Sequence, residues 1–272
     1  TPSLYQVTQT QTLNSRGEVL NTQITYPIDY PATSPYDLML QRHILNIPVE
    51  QLYKNGGFLL QSKKTNYQNW GNNIIAPGNT QTTIGNNSSE NRVIYDNYDS
   101  KGNLLSSSKP NNVKTVYLWG YQLQYPVAKI SGSTYSTINS LITQSQIDAA
   151  IDNDASLRSL LNALRTNLPD ALVTTYTYKP LVGMTSETGH DGKTIYYEYD
   201  EFNRLSLIRD HNNKIIKKIC YAYAGQSGEC SGVAAIYYNT VKSGSFRRND
   251  CKEGFTGNVV TYVVPAGRYT ST

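Results

Sequence analysis

The stretch from Thr194 to Tyr221, T-I-Y-Y-E-Y-D-E-F-N-R-L-S-L-I-R-D-H-N-N-K-I-I-K-K-I-C-Y, constrains the fold more than any other part of the chain. Three runs rich in Tyr, Ile and Leu suit a pleated, half-buried surface. They are separated by Asp200-Glu201-Phe202-Asn203 and Asp210-His211-Asn212-Asn213, where Asp and Asn bond their own backbone and tolerate turn geometry. The pattern predicts a β-meander.

Part of this stretch recurs. Tyr199-Asp200-Glu201-Phe202-Asn203-Arg204-Leu205 is repeated closely by Tyr98-Asp99-Ser100-Lys101-Gly102-Asn103-Leu104, and a degenerate copy aligns at Asn14-Ser15-Arg16-Gly17-Glu18-Val19. Gly17, Gly102 and Asn203 then fall at one position of the unit. Gly and Asn reach positive φ at low cost, so that position reads as the left-handed residue of a hairpin turn, with Asp99 and Asp200 opening the turn.

The Y-D-x-x-G/N-x-L phrase resembles the YD repeat of RHS-type surface and secreted proteins. Tyr117-Leu118-Trp119-Gly120-Tyr121 and the segment from Thr174 to Ser186 are similar to phrases of RHS-repeat proteins of gliding and gut bacteria of the Bacteroidota type. The resemblance spans roughly residues 5 to 223. It implies a mainly β fold, a curved and twisted antiparallel sheet of YD-repeat hairpins forming the wall of an RHS-like shell.

Composition agrees with sheets. Only 16% of residues are charged and there are 23 Tyr, a balance that favours broad sheet faces over packed helices. The net charge of +4 is spread along the chain, without the clustered basic footprint of a nucleic-acid binder, so no nucleic-acid partner is expected. No apolar run reaches the ~18 to 20 residues of a membrane span, and Thr1-Pro2-Ser3-Leu4 lacks signal-peptide character. The first residue falls near the start of a repeat and the last lies in a polar Thr-Ser-Thr tail, so the chain reads as an excerpt of a longer protein.

Taken in order, residues 5–26 predict a Thr- and Gln-rich hairpin about Asn14 to Gly17. Ser34-Pro35-Tyr36-Asp37 opens a short helix continuing through Leu40, Ile44 and Ile47 to Pro48. Leu52 to Asn69 predicts a hairpin about Asn55-Gly56-Gly57, and Trp70 to Glu90, poor in apolar residues, a long surface loop. Between residues 136 and 169 the period changes from two to about 3.6. Leu157, Leu160, Leu161, Leu164 and Leu168 form one stripe with Asp154 as N-cap, and Ile138, Leu141, Ile142 and Ile147 an earlier helix, so a two-helix insertion is expected. The repeat region is assigned to 1–230. After Ser231 the text resembles the start of a small, truncated domain of unknown function that follows RHS repeats, assigned to 231–272.

Enzyme chemistry finds no motif. His43, His190 and His211 have no pattern pairing them with Ser or Cys, and no G-x-S-x-G, H-E-x-x-H or phosphate loop occurs. Cys220, Cys230 and Cys251 lack zinc spacing, and Asp96, Asp99 and Asn103 match a calcium loop less well than a turn. Cys220 and Cys230 bracket a Gly-rich connection that could close as a disulfide, implying an oxidising exterior and leaving Cys251 odd. No catalytic residue, cofactor or metal is expected.

The expected function is that of a non-enzymatic scaffold or adhesive segment of a large secreted or cell-surface protein of a Gram-negative bacterium. Two alternatives stand beside it: a β-shell segment enclosing or delivering a C-terminal toxin, and a glycan-binding module using Tyr and Trp faces, with Trp70 and Trp119 the candidates. The expected partners are other parts of the same protein, with a secretion translocon and a surface glycan or protein as further candidates.

Overall fold

A computed structural model describes residues 6–222 and 262–265. The chain is mainly β, with antiparallel neighbours except at the last strand and few helices, and it forms two compact units, Thr1–Thr175 and Tyr176–Thr272. The sequence reading kept 1–230 as one region; its boundary near Ser231 lies outside the described residues.

The first unit holds β1 (Gln9–Leu13), β2 (Val19–Thr25), β3 (Glu50–Asn55), β4 (Phe58–Asn69), β5 (Ile75–Ile84), β6 (Glu90–Tyr98), β7 (Leu104–Ser108), β8 (Lys114–Gly120) and β9 (Tyr125–Ser131). Each pairs antiparallel with the next. The start of β10 (Leu172–Lys179) pairs with β9. Apart from the connections between β2 and β3 and between β9 and β10, strands follow one another through short turns, so mostly local connections generate this order.

Two excursions bury apolar side chains on this sheet. The first, between β2 and β3, is a 3-10 turn (Pro27–Asp29) followed by α1 (Tyr36–Gln41). Met39 and Val49 are buried with Tyr36, and Tyr30, Ile44, Tyr67 and Ile75 pack around them. The expected run to Ile47 is cut short because His43 turns to φ +56, a left-handed residue that ends the helix.

The second excursion corrects the expected two helices to three: α2 (Tyr135–Leu141), α3 (Gln144–Ala150) and α4 (Asp154–Asn167). The break falls at Thr143. Its hydroxyl accepts from Gln146 N while the Gln146 side chain accepts from Thr143 N, a reciprocal cap that starts a new helix. The cap of α4 is also corrected. Asn153, not Asp154, accepts from the amides of Ala155 and Ser156, and Asp154 sits in the first turn, where its charge suits the helix dipole. Leu157, Leu161 and Leu164 are fully buried, as are Val116, Ile130 and Val173, which are aligned across β8, β9 and β10. Gly120 marks how near α3 comes: a Cβ there would lie 2.8 Å from Val127 Cγ1 and 3.3 Å from Ile147 Cγ2.

The expected loop from Trp70 to Glu90 is instead a turn, the ten-residue strand β5 and a second turn. Few apolar residues are needed because β5 is paired on both sides and its neighbours cross-link through side chains. Asn66 donates to Asn79 at 2.6 Å and to Gln81 at 3.0 Å, and Gln81 donates to Asn91 at 3.1 Å. Hydrogen-bonded cross-strand pairs do here what apolar alternation does elsewhere.

The second unit continues from β10 through β11 (Gly183–Thr188), β12 (Thr194–Tyr199), β13 (Leu205–Arg209) and β14 (Ile215–Ala222), with β15 (Tyr262–Pro265) parallel to β14. Among its described residues the buried side chains carry hydroxyls. Thr177, Ser186 and Thr188 are buried; Thr177 Oγ1 lies 2.6 Å from Ser186 Oγ and 2.8 Å from Thr185 Oγ1, and Thr188 lies 2.9 Å from Thr194. Each buried hydroxyl finds a partner, as burial requires.

Candidate functional site

The repeated turn is the best-defined chemical feature of the chain. At Asp200 the amide donates to Arg204 O at 2.8 Å, and Asn203 N donates back to Asp200 O at 2.9 Å. Asp200 Oδ1 takes the amides of Phe202 and Arg204, each at 2.9 Å. Asp99 repeats this: Oδ1 accepts from Lys101 N at 2.8 Å and Asn103 N at 2.9 Å. Asn14 does the same with Arg16 and Glu18, at 2.9 and 3.0 Å. Gly17, Gly102 and Asn203 have φ of +75, +85 and +60. The geometry is a tight turn closed by a left-handed residue, braced by one acceptor oxygen that caps two turn amides.

Two further hairpins share the backbone pattern and escaped the sequence alignment. Asp210 Oδ1 accepts from Asn212 N and Lys214 N, with Asn213 at φ +64. Gly189 opens the other, with Gly192 at φ +76 and Asp191 capping Lys193 N at 3.1 Å. The first is the Asp210-His211-Asn212-Asn213 turn that the sequence reading placed between strands without aligning it to the repeat; the second has lost its opening side chain, leaving only Gly192 as a signal.

The second carboxylate oxygen recruits the fifth residue of the turn. Asp200 Oδ2 takes Arg204 through Nε at 2.8 Å and a terminal nitrogen at 2.7 Å, and Asp99 Oδ2 takes Asn103 Nδ2 at 2.9 Å. The guanidinium of Arg204 also lies 4.2 Å from the Tyr221 ring centroid and 5.1 Å from that of Phe202. These bonds, the Arg204 side chain first, hold the Asp200 carboxyl below its ordinary value; at Asp191 the Lys193 amide is the leading cause of the same shift. A lowered folded value stabilises above the unfolded one and is lost as pH falls through the lowered value. Acid titration of the full chain is therefore expected to loosen the β12–β13 hairpin, read as faster amide exchange at 200–204, and Asp200→Asn is expected to flatten that dependence.

The Tyr and Leu of the repeat have a role that sequence reasoning missed. Tyr98 Oη donates to Pro77 O and Tyr199 Oη to Met184 O, both at 2.9 Å and both on the preceding strand. A register irregularity falls just before each Tyr. The carbonyl of the repeat's Leu is in turn taken from the following strand, Leu104 O by Trp119 Nε1 at 2.9 Å and Leu205 O by Tyr221 Oη at 3.1 Å. The motif thus combines a phenol latch, a capped turn and a carbonyl socket. Burial raises the Tyr98 and Tyr199 phenols above their ordinary value, keeping the protons needed for donation.

The Tyr199 copy of the latch lies against a glycine. A Cβ at Gly183 would overlap Tyr199 Oη and lie 2.8 Å from Cζ. Gly183→Ala is expected to displace the ring, cost about 1 to 3 kcal/mol by overpacking, and lower the denaturation midpoint. Tyr199→Phe should recover little of that loss, since the Cζ contact remains.

The other candidate residues are dispersed. Trp70 is half-buried against Tyr98, ring centroids 5.1 Å apart, and donates to Ala76 O at 3.3 Å; Trp119 serves the Leu104 socket. Both indoles are structural donors. Asp96 pairs with Lys114 at 2.9 Å and takes the Ser106 hydroxyl, while Asp99 caps its turn. No group of three or more metal-ligating side chains occurs among the described residues. His211 lies in a turn beside Asn212 and His43 ends α1. Cys220 is disulfide-bonded; Cys230 and Cys251 lie outside the described residues. Among those described, no helix is long and apolar enough to cross a membrane.

Comparison with known proteins adds one sequence match. Residues 237–272 match a family described as a family of unknown function, DUF5977. No curated protein matches the chain. Among solved structures, a TcdB2-TccC3-Cdc42 crystal structure is similar at 9% identity and TM-score 0.37, over 76% of this chain and 12% of that one. A Photorhabdus luminescens Tc holotoxin pore with a TccC3 mutation is similar at 9% identity and TM-score 0.35, with the same coverage. The chain therefore spans about an eighth of the solved chains it matches.

Proposed function

We propose that this chain is a non-enzymatic scaffold segment of a larger exported protein, and that its sheets present surface to other parts of that protein. The observation that carries this reading is the repeated hairpin unit. Its Asp, Tyr, Leu and Gly or Asn residues are all engaged in holding backbone: the side-chain acceptors cap turn amides, and the phenols and indole bond strand carbonyls. A side chain engaged in this way builds an extended wall from modular pieces, each resting on its neighbour. The disulfide at Cys220 supports an oxidising, extracellular setting. Surface attachment, passage through a dedicated translocon and enclosure of a toxin are finer readings of the same role.

The test replaces His43, His190 and His211 together by Gln in the parent protein. The expected result is normal abundance, protease accessibility on intact cells and unchanged biological function. A folded triple variant that reaches the cell exterior and has lost function would overturn the non-enzymatic reading, and a parent protein confined to the cytosol would overturn the exported one.

A further inference from the structure

Two turns of the first unit carry three successive left-handed residues, and they differ in what fills them. Between β4 and β5 the run is Gly71, Asn72 and Asn73, at φ +81, +47 and +65. Between β8 and β9 it is Tyr121, Gln122 and Leu123, at φ +53, +59 and +63. Glycine and asparagine visit this region at low cost, whereas a longer side chain brings its Cβ against the following carbonyl oxygen. The first run suits its conformation, and the second is strained at every residue.

One brace is common to both. A side chain from elsewhere in the unit takes the carbonyl of the third left-handed residue: Arg42 Nη1 reaches Asn73 O at 2.6 Å, and Asn103 Nδ2 reaches Leu123 O at 2.7 Å. Asn103 is the fifth residue of the repeat turn, and the same amide nitrogen donates to Asp99 Oδ2 at 2.9 Å. Both of its hydrogens are in use. The strained run is also closed by Gln124 N on Gly120 O at 3.0 Å, and Tyr121 is buried with its ring 5.7 Å from that of Tyr125. Ahead of the run, Trp119 Nε1 donates to Leu104 O and Trp119 O accepts from Gln144 Nε2 of α3, both at 2.9 Å. With Trp119 pinned on two sides, any relief of strain falls to residues 121–123.

We propose that the β8–β9 turn is a loaded two-state switch and that Asn103 is its catch. In the held state Leu123 O sits on the Asn103 amide and Tyr121 is buried. In the released state Leu123 O leaves that amide, the run returns to negative φ and Tyr121 becomes exposed. Residues in this conformation persist only where their surroundings over-determine them. Here the surroundings include a bond that crosses from the β6–β7 hairpin to the β8–β9 hairpin, so displacement of one hairpin past the other is the event that frees the turn. The β4–β5 turn has the brace without the strain and keeps one state. The inference goes beyond the scaffold role, which would stand if the β8–β9 turn were static.

The experiment follows amide exchange at Gln124 and Ile74, and hydroxyl-radical labelling of Tyr121, in the full chain. Asn103→Ala is expected to speed exchange at Gln124 by about tenfold or more and to raise Tyr121 labelling, as the minor open state becomes populated. Arg42→Ala removes the matching brace from Gly71-Asn72-Asn73. It should change exchange at Ile74, whose amide donates to Gly71 O, by less than about threefold. Gln122 is exposed, so substitution there probes the backbone and not packing. Gln122→Gly is expected to slow exchange at Gln124 by about fivefold and to offset most of the Asn103→Ala effect, whereas Gln122→Ala, which keeps the Cβ, should do neither. Similar opening in the two brace variants, equal behaviour of Gly and Ala at position 122, or a Gln124 amide and Tyr121 label unmoved by Asn103→Ala would each overturn the proposal.

Discussion

Asn203→Pro is expected to lower the stability of the second unit by ~3 kcal/mol or more, because proline fixes φ near −65° and has no amide hydrogen. Asn203 sits at φ +60 and donates to Asp200 O at 2.9 Å, so the ring conflicts with both requirements. The damage should spread along the hairpin. Asp200 would lose its register with the amides of Phe202 and Arg204, and Arg204 its seat between Asp200 and the Tyr221 ring. Amide exchange across residues 196–209 reads the effect directly. Asn203→Gly, which allows positive φ, should stay within about 1 kcal/mol of the parent. Proline and glycine variants of equal stability would show that the left-handed residue does not hold the hairpin.

Leu161→Ala is expected to cost about 2 to 5 kcal/mol in the first unit, the range for deleting a fully buried leucine side chain without collapse of the cavity. Leu161 is fully buried between Leu157 and Leu164 on α4, so the loss falls at the middle of the helix's apolar stripe. Leu160 on the same helix is only partly buried, and Leu160→Ala should cost clearly less. Urea denaturation of the two variants makes the comparison. Similar midpoints would mean that α4 does not cap this sheet as its burial indicates.

Legibility in the sequence followed the range of the interactions. The turns at Asn14, Asp99 and Asp200 could be read because an Asp or Asn capping amides two and four residues on is a local device, and so is Gly or Asn at the left-handed position. The extra break in the helical insertion was equally local, written as Thr143-x-x-Gln146, but the apolar spacing that runs across it masked it. Strand β5 was not legible, since Thr and Asn at a paired position look the same as Thr and Asn in a loop until the partners Asn66 and Asn91 are known. The latches of Tyr98 and Tyr199 are hidden for the same reason. Their acceptors, Pro77 and Met184, are named by strand order rather than by any nearby residue.

The buried hydroxyls among the described residues of the second unit bear on how its strands respond to temperature. Unfolding a buried Thr or Ser wets less hydrocarbon than unfolding Leu or Val, and it wets polar atoms whose hydration lowers the heat capacity. With Thr177, Ser186 and Thr188 buried in place of aliphatic side chains, the described strands β10 to β12 contribute less to the heat-capacity increment of unfolding than an aliphatic interior of the same size would. Their share of the free energy of unfolding therefore varies less steeply with temperature than that of an aliphatic interior, which would peak more sharply and fade toward both extremes.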